Sequence, residues 1–366
     1  MRMTASVPSP PTTARAVGWW LLLLCGLVVV MVLLGGYTRL THSGLSMVQW
    51  KPATLLPPSS EAQWQAAFAD YRHYPEYLRI NRGMTLAEFK DIYYPEFFHR
   101  LVGRLLGLAL IVPFLWFLLR GSIARSMLPR LFGVMALAAL QGVIGWLMVS
   151  SGLVERPDVS HYRLALHLLA AFALFSWMLW LALEILLPAD RTAGTSPRAL
   201  RELRKPVAVV GVLTVVTAVW GAFVAGLDAG FIYNRFPLMG NWPWPDSLGS
   251  GPAALAPFEQ AAVVQFVHRV LATTTFACAC WLALRIHRSG LAARTKRIVA
   301  LVPGMVLVQF ALGVSTLLLV VPVGLGMAHQ AGALALLSLT LIALAQLHAP
   351  SEQRAEVPVA AHPAAP

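Results

Sequence analysis

Charged residues are scarce in this chain. Asp, Glu, Lys and Arg make up 12% of its 366 residues, whereas hydrophobic residues make up 58%. A soluble domain carries about a quarter charged residues, so the composition excludes an ordinary soluble domain. Several apolar runs also reach the roughly 20 residues that a helix needs to cross a bilayer. The composition therefore predicts an all-α polytopic membrane protein.

Cysteine is almost absent. The three cysteines, Cys25, Cys278 and Cys280, all fall within apolar runs, and the outer loops contain none. Neither a structural disulfide nor a cysteine-based metal site is therefore predicted. The expected role of all three is small apolar packing.

Acidic residues are outnumbered by basic ones, 16 to 28, which gives a formal net charge of +12. Such an excess can indicate nucleic-acid binding, but in membrane proteins it more often marks cytoplasmic loops. The loops after the second, fourth and sixth apolar runs are rich in Lys and Arg, whereas the loops after the third, fifth and seventh carry few or none. The long first loop carries mixed charge, and loops of its length translocate largely regardless of charge. We therefore expect both termini on the cytoplasmic side of the membrane and no nucleic-acid partner.

Eight membrane spans are predicted, with ends uncertain by a few residues. They are Val17–Leu34, Leu101–Leu119, Leu131–Val149, Leu164–Leu187, Val207–Gly226, Ala262–Leu284, Ile298–Val321 and Leu325–Leu347. The first span is expected to remain in the mature chain, because no small-residue cleavage site follows it.

One unit is used twice along the chain. Residues 35–44 resemble 221–230, residues 96–100 resemble 265–269, residues 140–145 resemble 308–313, and residues 166–170 resemble 328–332, in the same order. Spans one to four and five to eight therefore predict two four-helix bundles. Since each bundle has an even number of spans, the two should be parallel and related by a pseudo-two-fold axis along the membrane normal.

This repeat divides the chain into four expected regions. Residues 1–187 form the first bundle, 188–205 a basic cytoplasmic linker, 206–347 the second bundle and 348–366 a disordered tail rich in Ala and Pro. The first outer loop is much longer than its counterpart in the second half. A larger cap over the first bundle fits a site that admits and covers a substrate.

Four histidines lie at repeat-related positions near the outer ends of the even-numbered spans. They are His99, His167, His268 and His329. A single histidine there would indicate an ordinary interfacial residue, but ionisable residues within spans are rare and usually face the bundle interior. Two imidazoles from facing helices are suited to be the axial ligands of a haem iron. Zinc or copper is less favoured, because each bundle offers no obvious third and fourth ligand.

Arginines near the same outer ends are candidates for binding haem propionates, although each could instead extend to the membrane interface. The candidates are Arg39, Arg100, Arg104, Arg163 and Arg269.

The two halves differ at one position beside these histidines. Glu96 precedes His99 by three residues and shares its helix face, whereas the matching residue before His268 is Gln265. A carboxylate can accept a proton, stabilise a developing cation or act as a nucleophile, so the first bundle is the expected site of reaction. The alternative is that Glu96 caps the helix or pairs with Arg100.

With these motifs the sequence resembles the heme A synthase family from about Gly35 to Gln346. The resemblance rests on residues 35–41, 43–46, 88–93 and 96–100, on Tyr162, Arg163 and His167, on 233–234 and 236–239, and on 268–269 and 329–330. The absence of cysteine pairs in the outer loops resembles the proteobacterial and mitochondrial branch of the family.

The resemblance implies an oxidoreductase that converts the C8 methyl of heme O to a formyl group, giving heme A for terminal oxidases. It implies that His99 and His167 flank the substrate haem, with Arg39, Arg100, Arg104 and Arg163 nearby. It further implies that His268 and His329 ligate a resident haem b beside Arg269, and that Glu96 is the catalytic carboxylate. The enzyme that makes heme O by farnesyl transfer, an electron donor or acceptor and the lipid bilayer are the implied partners, and homo-oligomerisation is left open.

Two other classes of protein fit parts of the pattern. A cytochrome b-like quinol oxidoreductase would explain the paired histidines but gives Glu96 no distinct role. A transporter built from parallel repeats would use the histidines as proton relays.

Overall fold

The computed structural model describes residues 12–50, 55–154, 157–188, 190–246 and 256–348. Of the predicted disordered tail, residues 349–366 lie outside the described residues.

The described part of the chain is helical, with a single isolated bridge between Met239 and Trp242. The helices are α1 (Thr12–Leu40), α2 (Glu61–Tyr71), α3 (Pro75–Arg79), α4 (Leu86–Leu119), α5 (Leu128–Gly152), α6 (His161–Leu186), α7 (Pro197–Gly226), α8 (Ala256–Glu259), α9 (Ala261–His287), α10 (Ala293–Leu318) and α11 (Val323–Gln346). Eight of them, all except α2, α3 and α8, are long and apolar enough to cross a membrane. The prediction of an all-α, multi-pass membrane protein with eight spans is confirmed.

Two helices begin well before the predicted spans. Helix α4 begins at Leu86 rather than Leu101, because Thr85 and Glu88 form a reciprocal capping box at its start. Helix α7 begins at Pro197, inside the segment predicted as a linker, and its first turn is capped by the Ser196 hydroxyl. Hydropathy locates the part of a helix that lies in hydrocarbon, whereas capping residues locate its ends.

Two apolar cores hold the helices together, and α11 contributes to both. The first core lies among α1, α4, α5 and α6, where the Trp20 indole also donates to the Ala109 carbonyl at 2.8 Å. The second lies among α7, α9 and α10. Leu334 of α11 packs into the first core and Leu336 into the second, so α11 joins the two halves.

The described part of the long loop between α1 and α4, which is the first predicted outer loop, contains an aromatic cap. Helices α2 and α3 pack on the first part of α4 through buried rings, which are Trp64, Phe68, Tyr71, Tyr77, Phe89, Tyr93 and Phe97. Most of these rings meet edge-on or tilted, the arrangements that aromatic pairs prefer. The cap therefore packs on the first part of α4, and its covering the whole first half stays a prediction.

A buried carboxyl lies inside this cap. The Tyr71 hydroxyl donates to Glu76 at 2.9 Å and accepts from the Asn81 amide at 2.7 Å. Burial raises the pKa of Glu76 to about 7; the Tyr71 hydrogen bond opposes that rise, and the carboxylates of Glu96 and Asp158 add to it. Glu76 thus titrates close to neutrality.

Candidate haem sites

The four predicted histidines are brought together as two pairs. His99 on α4 and His167 on α6 lie close enough to interact electrostatically, and the same holds for His268 on α9 and His329 on α11. Each ring is partly buried within its half of the protein. The structure therefore supplies one pair of imidazoles per half.

Each of these histidines packs against a glycine of the preceding long helix. The pairs are Gly35 with His99, Gly145 with His167, Gly221 with His268, and Gly313 with His329. A Cβ atom added at any of the four glycines would lie 2.9–3.2 Å from the ring. An alanine would force either the ring or the helix to move, so these glycines set where the imidazoles can lie.

Hydrogen bonds fix the ring orientation in the second half. His268 Nδ1 lies 3.1 Å from the Thr217 carbonyl oxygen. Because a carbonyl can only accept, this Nδ1 carries the proton and Nε2 keeps a free lone pair for a metal. The Gln309 amide nitrogen lies 3.2 Å from His329 Nδ1 and donates to the His329 carbonyl at 2.9 Å.

A related glutamine serves the first half. The Gln141 amide donates to the His167 carbonyl at 3.1 Å, which matches the contact between Gln309 and His329. His167 Nδ1 and Gln141 Oε1 are both buried without a hydrogen-bond partner. The sequence alone indicates no role for these glutamines, although the repeat places both four residues before a ring-contacting glycine.

This donor set fits a haem iron. Two imidazoles per half could hold a haem iron, because the porphyrin itself supplies the other ligand atoms. Within the described ranges, no group of three or more His, Cys, Asp or Glu converges as a metal site.

Glu96 is buried in the middle of α4, well away from the helix start, so it is not a helix cap. Its carboxylate accepts hydrogen bonds from the Ser46 hydroxyl at 2.9 Å, the Met47 backbone N–H at 2.8 Å and Arg100 at 2.5 Å. The expected pairing with Arg100 is thus present. Three donors converge on one buried carboxylate, and together they hold the start of the first long loop against α4.

Gln265 occupies the matching position in the second half with the opposite polarity. It is buried, and its amide donates to the Tyr233 carbonyl at 3.1 Å. The loop after α1 therefore offers hydrogen-bond donors to Glu96, whereas the loop after α7 offers an acceptor to Gln265. The two halves therefore differ both in this side chain and in the loop groups that bind it.

Comparison with known proteins decides the family. The family COX15-CtaA, described as cytochrome oxidase assembly protein, matches residues 18–341 of the chain. The chain belongs to this family.

Relatives of the chain within this family carry the name heme A synthase. The protein of Rhodospirillum centenum is 46% identical over 342 residues, which cover 93% of this chain and 90% of that protein. That of Paramagnetospirillum magneticum is 48% identical, with 91% and 94% covered. The human relative, named heme A synthase COX15, is 43% identical, with 92% and 83% covered. The predicted resemblance to the heme A synthase family is confirmed.

In this heme A synthase family member, several of the arginines expected near propionates bind the protein itself. Arg39 donates to Asp228 at 2.8 Å and to the Ala225 carbonyl, so it links the two halves. Arg100 holds the loop after α1, because it donates to the Met47 and Gln49 carbonyls. Arg269 holds the loop after α7 through the carbonyls of Tyr233, Arg235 and Leu238. Arg163 donates to the Leu147 carbonyl. Arg104 lies one helical turn after Arg100 on α4. Contact with propionates stays a prediction for all five.

Proposed function

We propose that this protein oxidises the C8 methyl of heme O to a formyl group in its first half and holds a resident haem b in its second half. Its activity is that of a heme A synthase, an oxidoreductase that converts heme O into heme A. Membership of the COX15-CtaA family and the relatives named heme A synthase support this assignment. They favour it over the electron carrier and the transporter that the histidine pattern also allows.

The contrast between Glu96 and Gln265 carries the assignment of roles to the two halves. Both halves offer a histidine pair resting on glycines, so both are suited to bind a haem. Only the pair on α4 and α6 has a buried carboxylate one turn from a histidine on the same helix face. A site that merely holds a cofactor does not need such an acid, whereas a site that oxidises a carbon does.

In the first half, His99 and His167 would hold heme O with its methyl edge toward Glu96. Conversion of a methyl to a formyl group removes electrons and protons from the carbon and adds one oxygen atom. The Glu96 carboxylate would stabilise positive charge that develops near this carbon, or bond to it covalently. Ser46, Met47 and Arg100 hold the carboxylate in place before the substrate arrives.

In the second half, His268 and His329 would hold haem b. When bound, haem b supplies one-electron transfer between the reacting half and an external redox partner. Thr217 fixes the proton on His268 Nδ1, so Nε2 is oriented as the ligand atom. The Gln309 amide nitrogen lies 3.2 Å from His329 Nδ1 and also donates to the His329 carbonyl, so it holds the His329 ring in place.

The proposed topology places both termini and the basic loops in the cytoplasm, and the haem sites near the outer face of the inner membrane. The alternation of basic and non-basic loops supports it. Residues 1–187 and 206–347 would be the two parallel bundles. The equivalent positions of the four glycine–histidine contacts support a pseudo-two-fold relation between them.

The proposed activity can be tested with purified protein. Heme O is supplied together with a redox mediator, and the haems are then extracted with acid and separated by chromatography. We expect heme A to form, and a low-spin haem b spectrum to persist throughout the reaction. Protein that binds heme O and carries haem b, but yields no formylated product under any redox condition, would refute the assignment as the synthase.

A further inference from the structure

A groove opens between α9 and α10, at the end where α9 stops at His287 and α10 begins at Ala293. It has a volume of about 650 Å³. Its floor consists of small residues on both helices, which are Ala279, Ala283, Ala293, Ala300 and Gly304. Members of this set are spaced four apart on each helix, so they form one stripe along each facing surface.

The helices do not close on this stripe. Small residues four apart normally allow membrane helices to pack closely. Here a Cβ atom added at Gly304 would have no heavy atom within 4 Å. Phe276, Ile286 and Leu307 complete an apolar wall around the open space. In a bilayer, a groove of this composition is suited to an acyl chain.

The mouth of the groove is basic. Lys296 and Arg297 line it together with His287, and none of the described lining residues is acidic. The Lys296 ammonium donates to the His287 carbonyl at 2.7 Å, which leaves it beside the opening. The first turn of α10 contains no acidic residue, and Ala292 provides no side-chain cap. The basic side chains and the positive end of the helix dipole thus favour an anion at the mouth.

The length of the groove matches one leaflet of a membrane. Helix α10 rises roughly 16 Å between Lys296 and Leu307. The hydrocarbon of one leaflet is roughly 15 Å thick. By the loop charges, this end of α9 and α10 faces the cytoplasm, where the leaflet surface carries anionic lipids.

We propose that the groove between α9 and α10 binds an anionic phospholipid. Its phosphate would lie at Lys296 and Arg297, and one acyl chain would lie over the small residues toward Leu307. Neither haem pair contributes to this site, so it is independent of the proposed catalytic function.

The test uses the whole protein in nanodiscs that contain phosphatidylcholine with a minor share of phosphatidylglycerol. Native mass spectrometry counts the lipids that remain bound, and the visible spectrum of bound haem reports intact folding. Arg297→Gln removes a charge from the mouth. Arg294→Gln is the matched control, because Arg294 is exposed on the same helical turn but does not line the groove. Gly304→Leu fills the apolar floor and leaves every charge in place.

We expect wild type and Arg294→Gln to retain phosphatidylglycerol preferentially. Arg297→Gln should lose about fivefold of this preference, the factor that corresponds to one basic residue at an anionic surface. Gly304→Leu should lose the retained lipid altogether. Equal losses in Arg297→Gln and Arg294→Gln would reduce the effect to general surface charge and overturn the proposal. So would unchanged retention in Gly304→Leu, or a wild type with no preference between the two lipids.

Discussion

Replacing Glu96 with glutamine tests whether its carboxylate takes part in the reaction. The substitution changes one atom and copies Gln265 of the second half. It removes the negative charge one helical turn from His99 while keeping the size of the side chain. The surrounding donors, Ser46, Met47 and Arg100, remain in place but now face a neutral amide.

The structural cost of this change can be bounded. A hydrogen bond to a charged group contributes about 1.5–3 kcal/mol and a neutral one about 1 kcal/mol, so the bonds from Ser46 and Met47 each weaken by about 1 kcal/mol. Breaking a buried ion pair costs about 3–5 kcal/mol. The cost here should lie near the lower limit, because Arg100 keeps its bonds to the Met47 and Gln49 carbonyls. The variant should therefore fold and retain haem b.

The catalytic loss should be larger than this structural effect implies. Removing a preorganised group that stabilises charge in a transition state lowers rates by about 10²–10³-fold. We expect heme O, or a partly oxidised form of it, to accumulate in place of heme A. The assay is the haem content of acid extracts from membranes of cells that depend on each variant.

A second variant distinguishes a catalytic role of Glu96 from a role in holding the loop after α1. Ser46→Ala removes one donor to Glu96 but keeps the carboxyl group, so it should lower heme A formation by no more than about tenfold, the equivalent of about 1.4 kcal/mol. Near-normal heme A in Glu96→Gln would refute a catalytic role. If Ser46→Ala lost as much activity as Glu96→Gln, the acid would act only by holding the outer loop.

Further predictions concern the cap, the haem b ligands and the topology. Because burial raises the pKa of Glu76 from 4.5 to about 7, the folded cap binds this proton more tightly than the unfolded chain does. Its stability should therefore fall as pH rises from about 4.5 to about 7 and then level off; Glu76→Gln should flatten that dependence in hydrogen-exchange measurements on the cap. Gln309→Glu should lower the reduction potential of haem b in a redox titration, since a carboxylate beside Nδ1 makes His329 a stronger electron donor, whereas the same change at Gln141 should leave that potential unchanged. Gly313→Ala should displace the His329 ring, which lies 2.9 Å from the added Cβ position, and lower the haem b retained on purification; Ala substitution at Gly304, where a Cβ has open space, should not. A periplasmic reporter fused after Gln346 should be inactive, and strong activity there would contradict the proposed topology.

Much of the fold could be predicted from the sequence, because membrane helices can be recognised by their length and hydropathy. All eight spans were found in this way, and the repeat then placed the four histidines at equivalent positions. The start of α4 at Leu86 was missed, since the capping box of Thr85 and Glu88 lies outside any apolar run.

The contacts around the site were harder to predict. The donors to Glu96 come from Ser46 and Met47, about fifty residues earlier in the chain, and only the folded loop brings them together. The carbonyl that orients His268 belongs to the Thr217 backbone, so the type of residue at this position does not predict the contact. The glycines facing the rings were visible in the repeat, but a close approach between helices is a property of their packing.

The central claim is that the first half binds the substrate haem and the second half holds haem b. Its most direct test is the haem content of four single alanine variants. The protein is purified after each of His99, His167, His268 and His329 is replaced in turn, and the type of each bound haem is determined. We predict that the last two variants lose haem b, whereas the first two keep it and lose bound heme O and heme A. Loss of haem b from the His99 and His167 variants, with full retention in the His268 and His329 variants, would contradict the account.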